Sequence, residues 1–182
     1  IPFQTSWGVS TRLIGAIIMT HGDDNGLVLP PAVAPIQLVV VPIASHKEGV
    51  TEKATEVYES LKKYCRAKID LSEQSPGWKF AEYEMKGVPL RIEIGPRDIE
   101  NGCCVVVRRD NREKTIVKLD ELENEIPKLL DAVRDGLYNK ALEHRNEMTY
   151  DAHNMEEMIE IAENKPGFIR AMWCEDRECE EK

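Results

Sequence analysis

"IQLVVVPI" at residues 36–43, followed by "TEKATEVYESLKKYCRA" at 51–67, decides how this chain folds. The first stretch is β-branched and almost continuously apolar, the pattern of a strand covered on both faces. In the second, Ala54, Val57, Tyr58, Leu61 and Cys65 recur at helical spacing, so one stripe is apolar and the rest is charged. A covered strand followed by an amphipathic helix opens an α/β unit, with helices on the faces of a sheet. The rhythm continues downstream. "KID" at 68–70 leads into a second short strand. In "KFAEYEMKGVPLRIEIG" (79–95) a short helix or loop and a Gly-Val-Pro turn precede a strand in which Leu90, Ile92 and Ile94 alternate with Arg91 and Glu93. "NGCCVVVRRDNREKTIVKL" (101–119) reads as a hairpin turning around Asp110 and Asn111. Residues 120–148 form a long helix with Leu122, Ile126, Leu129, Leu130, Val133, Leu137 and Leu142 on its buried stripe, kinked or restarted at Pro127. The expected class is α/β, a mixed sheet flanked by helices.

Both ends depart from this rhythm. "TSWGVSTRLIG" (5–15) reads as a polar strand end, then Gly8, then a helix capped by Ser10 or Thr11. "HGDDNG" (21–26) stops that helix, with His21, Asp23 and Asp24 as turn and capping residues. "LVLPPAVAP" (27–35) carries three prolines, so it reads as a linker with a boundary near Pro35. At the other end, "NMEEMIEIAENKPGF" (154–168) is one more helix, and "FIRAMWCEDRECEEK" (168–182) a short strand running into Cys174 and Cys179. Three parts follow: residues 1–35, 36–148 and a truncated α+β part over 149–182.

With 182 residues, 42% hydrophobic and 31% charged, the composition is that of a soluble globular chain. The apolar run at 36–44 is far shorter than the roughly 20 residues a bilayer requires. The opening residues lack the basic and apolar regions of a secretory leader, and without an initiator Met Ile1 reads as the edge of a fragment. Cys65, Cys103 and Cys104 lie in apolar surroundings and read as buried thiols of a reducing compartment, so the cytoplasm is expected. The net charge of −9 argues against a nucleic-acid partner, but it is unevenly spread. Residues 119–182 carry eighteen acidic against eight basic side chains, whereas 78–118 carry nine basic against seven acidic. A local patch in that middle segment can meet phosphates. No P-loop, HExxH or GxSxG is present.

Three groups of residues carry chemistry. In "SWGVSTR" (6–12), Gly8 lets a ligand approach the backbone, the helix start offers unpaired N–H groups to an anion, and Arg12 adds a planar fork. A capped surface helix with a solvated arginine is the plainer reading. In "KFAEYEMKGVPLRIEIGPRDIENG" (79–102), Phe80, Glu84, Arg91 and Arg97 supply a ring, a carboxylate and guanidinium groups. Those suit single-stranded RNA, through stacking, edge hydrogen bonds and phosphate contacts. A solvated sheet face is the alternative. In "CEDREC" (174–179), two cysteines are half of a tetrahedral zinc site, and two unrelated thiols fit as well.

Read together and in order, these stretches resemble one family, and the resemblance covers essentially the whole chain. "TSWGVSTRLIGAIIMTHGDDNGLVLPPAVAPIQLVVVPI" resembles the last conserved motif of prolyl-tRNA synthetases and the passage into their anticodon-binding domain. "KFAEYEMKGVPLRIEIGPRDIENG" resembles their anticodon-binding region, and "AMWCEDRECEE" the start of the C-terminal zinc-binding domain of the archaeal and eukaryotic-like type. The resemblance implies a strand and helix from the end of a class II catalytic domain at 1–35 and an anticodon-binding domain at 36–148. It implies that Arg12 is catalytic, stacking on adenine and meeting the phosphates of ATP, and that Trp7, Gly8 and Thr11 line the proline and adenine pocket. It also implies that Phe80, Glu84, Arg91 and Arg97 contact the guanines of the tRNA(Pro) anticodon, Arg97 standing where lysine also occurs. The implied reaction joins L-proline to tRNA(Pro) through prolyl-adenylate, with ATP and Mg2+. Zn2+ needs two further cysteines beyond Cys174 and Cys179. The whole enzyme is expected to be a homodimer, and this chain alone to be inactive in catalysis. A stand-alone RNA-binding or regulatory module derived from a synthetase is the alternative.

Overall fold

The computed structural model describes residues 3–173, 175 and 177–180, though not the side chains of 179 and 180. The chain divides into two compact units, residues 1–137 and 138–182.

The first unit opens with α1 (Arg12–His21). Thr11 takes the N-cap position without a side-chain bond, while the Ser10 hydroxyl accepts from the Arg12 N–H. The strand expected ahead of Gly8 is not formed. Residues 3–10 have no regular structure, because among the described residues no strand lies beside them to complete a ladder. The α/β rhythm then appears as read: β1 (Leu38–Pro42), α2 (Val50–Leu61), β2 (Ala67–Ile69), α3 (Pro76–Met85), β3 (Leu90–Ile94), a short α4 (Pro96–Glu100), β4 (Cys103–Arg108), β5 (Lys114–Lys118) and α5 (Leu122–Glu147). Pro127 neither starts nor ends a helix; it lies inside α5, which is one element. Helix α4 was not expected. It starts on Pro96, and the Asp98 carboxylate accepts from the Gly95 N–H at 2.8 Å, which tethers its first turn.

The sheet order is β2-β1-β3-β4-β5, the first three strands parallel and the last two antiparallel. Its two faces are covered unequally. Leu38, Val40, Leu90, Ile92 and Val106 are buried with Leu61 of α2 and Ile126 of α5. On the opposite face, among the described residues, α3 packs with Val88 and Ile36 beside it, setting Tyr83 against Val39 and Val41. Over β3, β4 and β5 this face opens toward its edge, although Val107 is still buried and Val105 half-buried. Two register rows cross it, Arg91–Val107–Lys114 and Glu93–Val105–Ile116, and Ile116 is 74% exposed. Cys65 and Cys104 are buried thiols, and burial pushes their pKa up to about 11 and about 12. Cys103 is only half-buried, because its position faces the open side.

Helix α3 ends in a Schellman motif. The Val88 N–H donates to the Tyr83 carbonyl at 3.1 Å and the Gly87 N–H to Glu84 at 3.0 Å, with Gly87 at φ +70°. The linker lies on this end: the Leu27 N–H donates to the Met85 carbonyl at 3.0 Å, and a Cβ on residue 87 would stand 2.7 Å from the Leu27 Cβ. A second tie is electrostatic. Arg109, 3% exposed, donates to both carboxylate oxygens of Asp23 at 2.7 and 2.8 Å and to the Glu84 carbonyl at 2.9 Å. These hydrogen bonds hold Asp23 at a pKa of about 2, below its ordinary 3.8, against the opposing effect of burial. A carboxyl depressed on folding stabilises the fold above its unfolded pKa and loses that contribution as pH falls through the folded one. Asp23→Ala is accordingly expected to lower stability at neutral pH by about 2 kcal/mol, since it leaves a buried guanidinium half-satisfied while water reaches the vacated side. The deficit relative to wild type should shrink between pH 3.8 and about 2. Urea unfolding across pH checks it; a deficit independent of pH sinks the assignment.

The second unit begins at residue 138, within α5. It continues through β6 (Thr149–Asp151), α6 (Met155–Asn164), β7 (Phe168–Arg170) and α7 (Arg177–Glu180). Strands β6 and β7 are parallel, with Arg170 and Asp151 paired at their ends. The Asn154 side chain caps α6 by accepting from the Glu157 N–H at 2.8 Å.

Candidate nucleic-acid interface

Helix α3 forms where Ser75 caps it, the hydroxyl accepting from the Trp78 N–H at 3.3 Å with Pro76 at the first helical position. Its inner side carries Lys79 and Tyr83, both buried, and these fix the helix to the sheet. The Lys79 ammonium donates to the Asp70 carbonyl at 3.0 Å and stands 3.5 Å from the Asp70 carboxylate. For Asp70, burial pushes the pKa up, but bonds from Ser72, the Tyr83 hydroxyl and the Lys79 charge outweigh it and hold the group at about 2. Burial first, then the bond to Asp70, pushes the Tyr83 phenol well above its ordinary range.

From this anchored helix Phe80 and Glu84 reach side chains of the sheet and its hairpin. Phe80 lies under Arg91 of β3, whose guanidinium carbon is 4.1 Å from the ring centroid. Arg91 donates from Nε and Nη2 to Glu93, two residues along the same strand face, at 3.0 and 2.7 Å. Glu84, one turn beyond Phe80, faces Arg112 at the tip of the β4–β5 hairpin, Nε to Oε1 being 3.2 Å. Arg112 adopts φ +60°, a left-handed conformation that is costly for a residue with a side chain. A cleft of about 150 Å³ lies between α3 and the hairpin, with Glu84, Arg91, Arg112 and Lys114 on its wall.

The structure thus brings together Phe80, Glu84 and Arg91. Arg97 is exposed on α4, past the C-terminal end of β3, outside that ion-paired set. Trp7 and Gly8 lie in the irregular segment before α1, Thr11 is its N-cap and Arg12 its first residue; Trp7 is 94% exposed and Arg12 is exposed. Cys174 and the side chain of Cys179 lie outside the described residues, so the zinc expectation gains no geometry. Two arginines of the region escaped the sequence reading. Arg109 and Arg112 have partners 86 and 28 residues away, and no local pattern announces such pairs. The "RRDNR" run was a signal of charge, but it did not say which arginine is spent on structure.

A stacked aromatic–guanidinium pair, a carboxylate held, among the described residues, by an exposed arginine, and cations beside a partly open sheet face suit a base-reading surface. The family described as "Anticodon binding domain" matches residues 37–129. The chain is 61% identical over 179 residues to the proline–tRNA ligase of Clostridium novyi, covering 98% of this chain and 37% of that protein. It is 60% identical over 179 residues to proline–tRNA ligase 2 of Bacillus cereus, covering 98% of this chain and 38% of that protein. A crystal structure of prolyl-tRNA synthetase from Cryptosporidium parvum, complexed with L-proline and AMP, superposes with a TM-score of 0.84 at 45% identity, over 94% of this chain and 38% of that one. The chain therefore spans little more than a third of the length of the curated relatives it matches.

Proposed function

This chain belongs to the anticodon-binding domain family, and from that premise we propose that it is the tRNA-reading portion of a proline–tRNA ligase. The observation that carries the proposal is the set Phe80, Glu84 and Arg91, assembled on an open sheet face inside the matched span. Arg91, stacked on Phe80, presents its outer face to a nucleobase. The Glu84 carboxylate accepts from the N1–H and N2–H edge of a guanine, and Arg97 donates to a second guanine or to phosphate. Discrimination is sharp because a base lacking that edge leaves Glu84 buried against an unmatched group.

The whole protein would activate L-proline with ATP and pass the prolyl group to the terminal ribose of tRNA(Pro). Trp7, Gly8, Thr11 and Arg12 would border the proline and adenine pocket, with Arg12 as the ATP-binding arginine. Catalysis there is positioning plus charge stabilisation, to which Mg2+ would add its charge. Residues 1–35 would be the end of the catalytic domain, 36–148 the anticodon-binding domain and 149–182 the start of a C-terminal domain. The exposed apolar side chains of α1, among them Ile14 at 60% and Met19 at 84%, support assigning that helix to a larger body. Cys174 and Cys179 would be two of four zinc ligands. The whole enzyme would be a cytoplasmic homodimer. Among the described residues no helix is long and apolar enough to cross a membrane.

The test is a titration of this chain with tRNA(Pro) beside a tRNA(Pro) whose two anticodon guanines are replaced. Each mismatched base is expected to cost about tenfold in affinity, by analogy with base-edge readout elsewhere. Equal, steeply salt-dependent binding of both would mean phosphate contact alone and would defeat the proposal.

A further inference from the structure

We infer that the cleft between α3 and the β4–β5 hairpin seats a backbone phosphate of the bound RNA, and that Arg112 is the residue that moves onto it. The inference rests on the anticodon-reading role proposed above and adds residues to it. Of the arginines around the cleft, most are committed. Arg109 is spent on Asp23, and Arg108 on Asp110 at 2.7 Å and on the Ala132 carbonyl at 3.0 Å. Arg91 is stacked on Phe80 and paired with Glu93. Two cations remain. Lys114 is exposed and has no ionic partner among the described residues. Arg112 is 56% exposed and holds Glu84 through an Nε contact at 3.2 Å. Lys114 and Arg91 lie in one register row, with Val107 between them, so positive charge borders the cleft from two strands.

Glu84 cannot serve Arg112 and a guanine edge equally well. When a guanine takes the carboxylate, the arginine needs a new anion, and the nearest one the RNA supplies is its own phosphodiester. Arg112 has a left-handed backbone and reaches Glu84 of α3, and the hairpin tip is braced by the Asn111 side chain, which accepts from the Glu113 N–H at 3.0 Å. In the free chain the same contact keeps Glu84 from repelling incoming phosphates. Arg112 is thus a specificity element as well as an anchor: it is released toward phosphate only when the correct edge occupies Glu84.

The experiment measures affinity of the full 182-residue chain for tRNA(Pro) and for the guanine-replaced tRNA, between about 50 and 200 mM salt, with wild type, Arg112→Gln and Arg112→Lys. Arg112→Gln is expected to reduce the slope of log affinity against log salt by about 0.7, the share of one phosphate contact. It should also weaken tRNA(Pro) about fivefold, and Arg112→Lys should restore the slope. Equal melting temperatures establish that the exposed substitution has not unfolded the domain. If wild type discriminates between the two RNAs but Arg112→Gln keeps the wild-type slope, the phosphate seat is overturned while the anticodon reading stands. Lost discrimination with an unchanged slope overturns it too, leaving Arg112 as a holder of Glu84 only. If wild type itself does not discriminate, the anticodon reading fails, and this inference falls with it.

Discussion

Arg91→Glu is expected to weaken binding of tRNA(Pro) about a hundredfold at moderate salt, with the guanine-replaced tRNA weakened much less. Three effects add. The stacked guanidinium over Phe80, at 4.1 Å from its centroid, disappears, and with it a surface on which a base stacks, worth about 1–3 kcal/mol. A cation beside the RNA becomes an anion. The new carboxylate also lies on the same strand face as Glu93, whose partner it has replaced, so two like charges share one edge of the open face. Arg91→Lys separates these contributions, since it keeps the charge and removes the planar fork; about a tenfold loss is expected there. Because the Arg91 side chain is only 15% exposed, the reversal will also cost some stability, and binding is to be measured well below the melting temperature of the variant. Unchanged affinity in a folded Arg91→Glu protein would remove Arg91 from the interface, and with it the assignment of the open sheet face to RNA.

The sheet and its helices were legible because both periods are strong. Leu90, Ile92 and Ile94 alternate with Arg91 and Glu93, and Val57 and Leu61 sit one helical turn apart. The mixed topology followed from a covered apolar strand and a polar hairpin. Of the short elements, β2 and β7 were legible and two others were not. Helix α4 has five residues and β6 three, too few for a period, and β6 forms only against β7, 19 residues on. At Pro127 the sequence left a restart or a kink open; the helix does not restart there, since Ile126 on one side and Val133 further along are both buried in the same core. The segment ahead of Gly8 finds no strand to bond with among the described residues. For the site, residue types pointed to Phe80, Glu84 and Arg91, which share a helix side and a strand face. What escaped was the division of labour among cations. Arg109 and Arg112 are chemically alike and three residues apart, yet one is buried against Asp23 and the other exposed over Glu84.

Asp70→Ala should be among the most damaging single substitutions in the first unit, costing about 3–4 kcal/mol, or roughly 10 °C in melting temperature. Lys79 is 2% exposed and its ammonium has the Asp70 carbonyl and carboxylate as partners; with the carboxylate gone, a buried charge keeps a single neutral acceptor. Lys79→Met should be much milder, about 1–2 kcal/mol. The methionine fills the same volume, and Asp70 retains its bonds from Ser72 and the Tyr83 hydroxyl. The double variant Asp70→Ala/Lys79→Met should be more stable than Asp70→Ala alone, since removing both charges removes the unpaired one. Asp70 is depressed to about 2 from 3.8, so its contribution is full above pH 3.8 and fades as pH falls through about 2. The difference between wild type and Asp70→Ala should narrow over that window. Phe80 directly follows Lys79, so the pair that anchors α3 also fixes the ring beneath Arg91; at temperatures where Asp70→Ala is still folded, discrimination between the two tRNAs should be blunted, and Lys79→Met should keep most of it. If Asp70→Ala proves as mild as Lys79→Met, the ammonium is reaching water, and the buried pair is not what holds the base-reading surface in place.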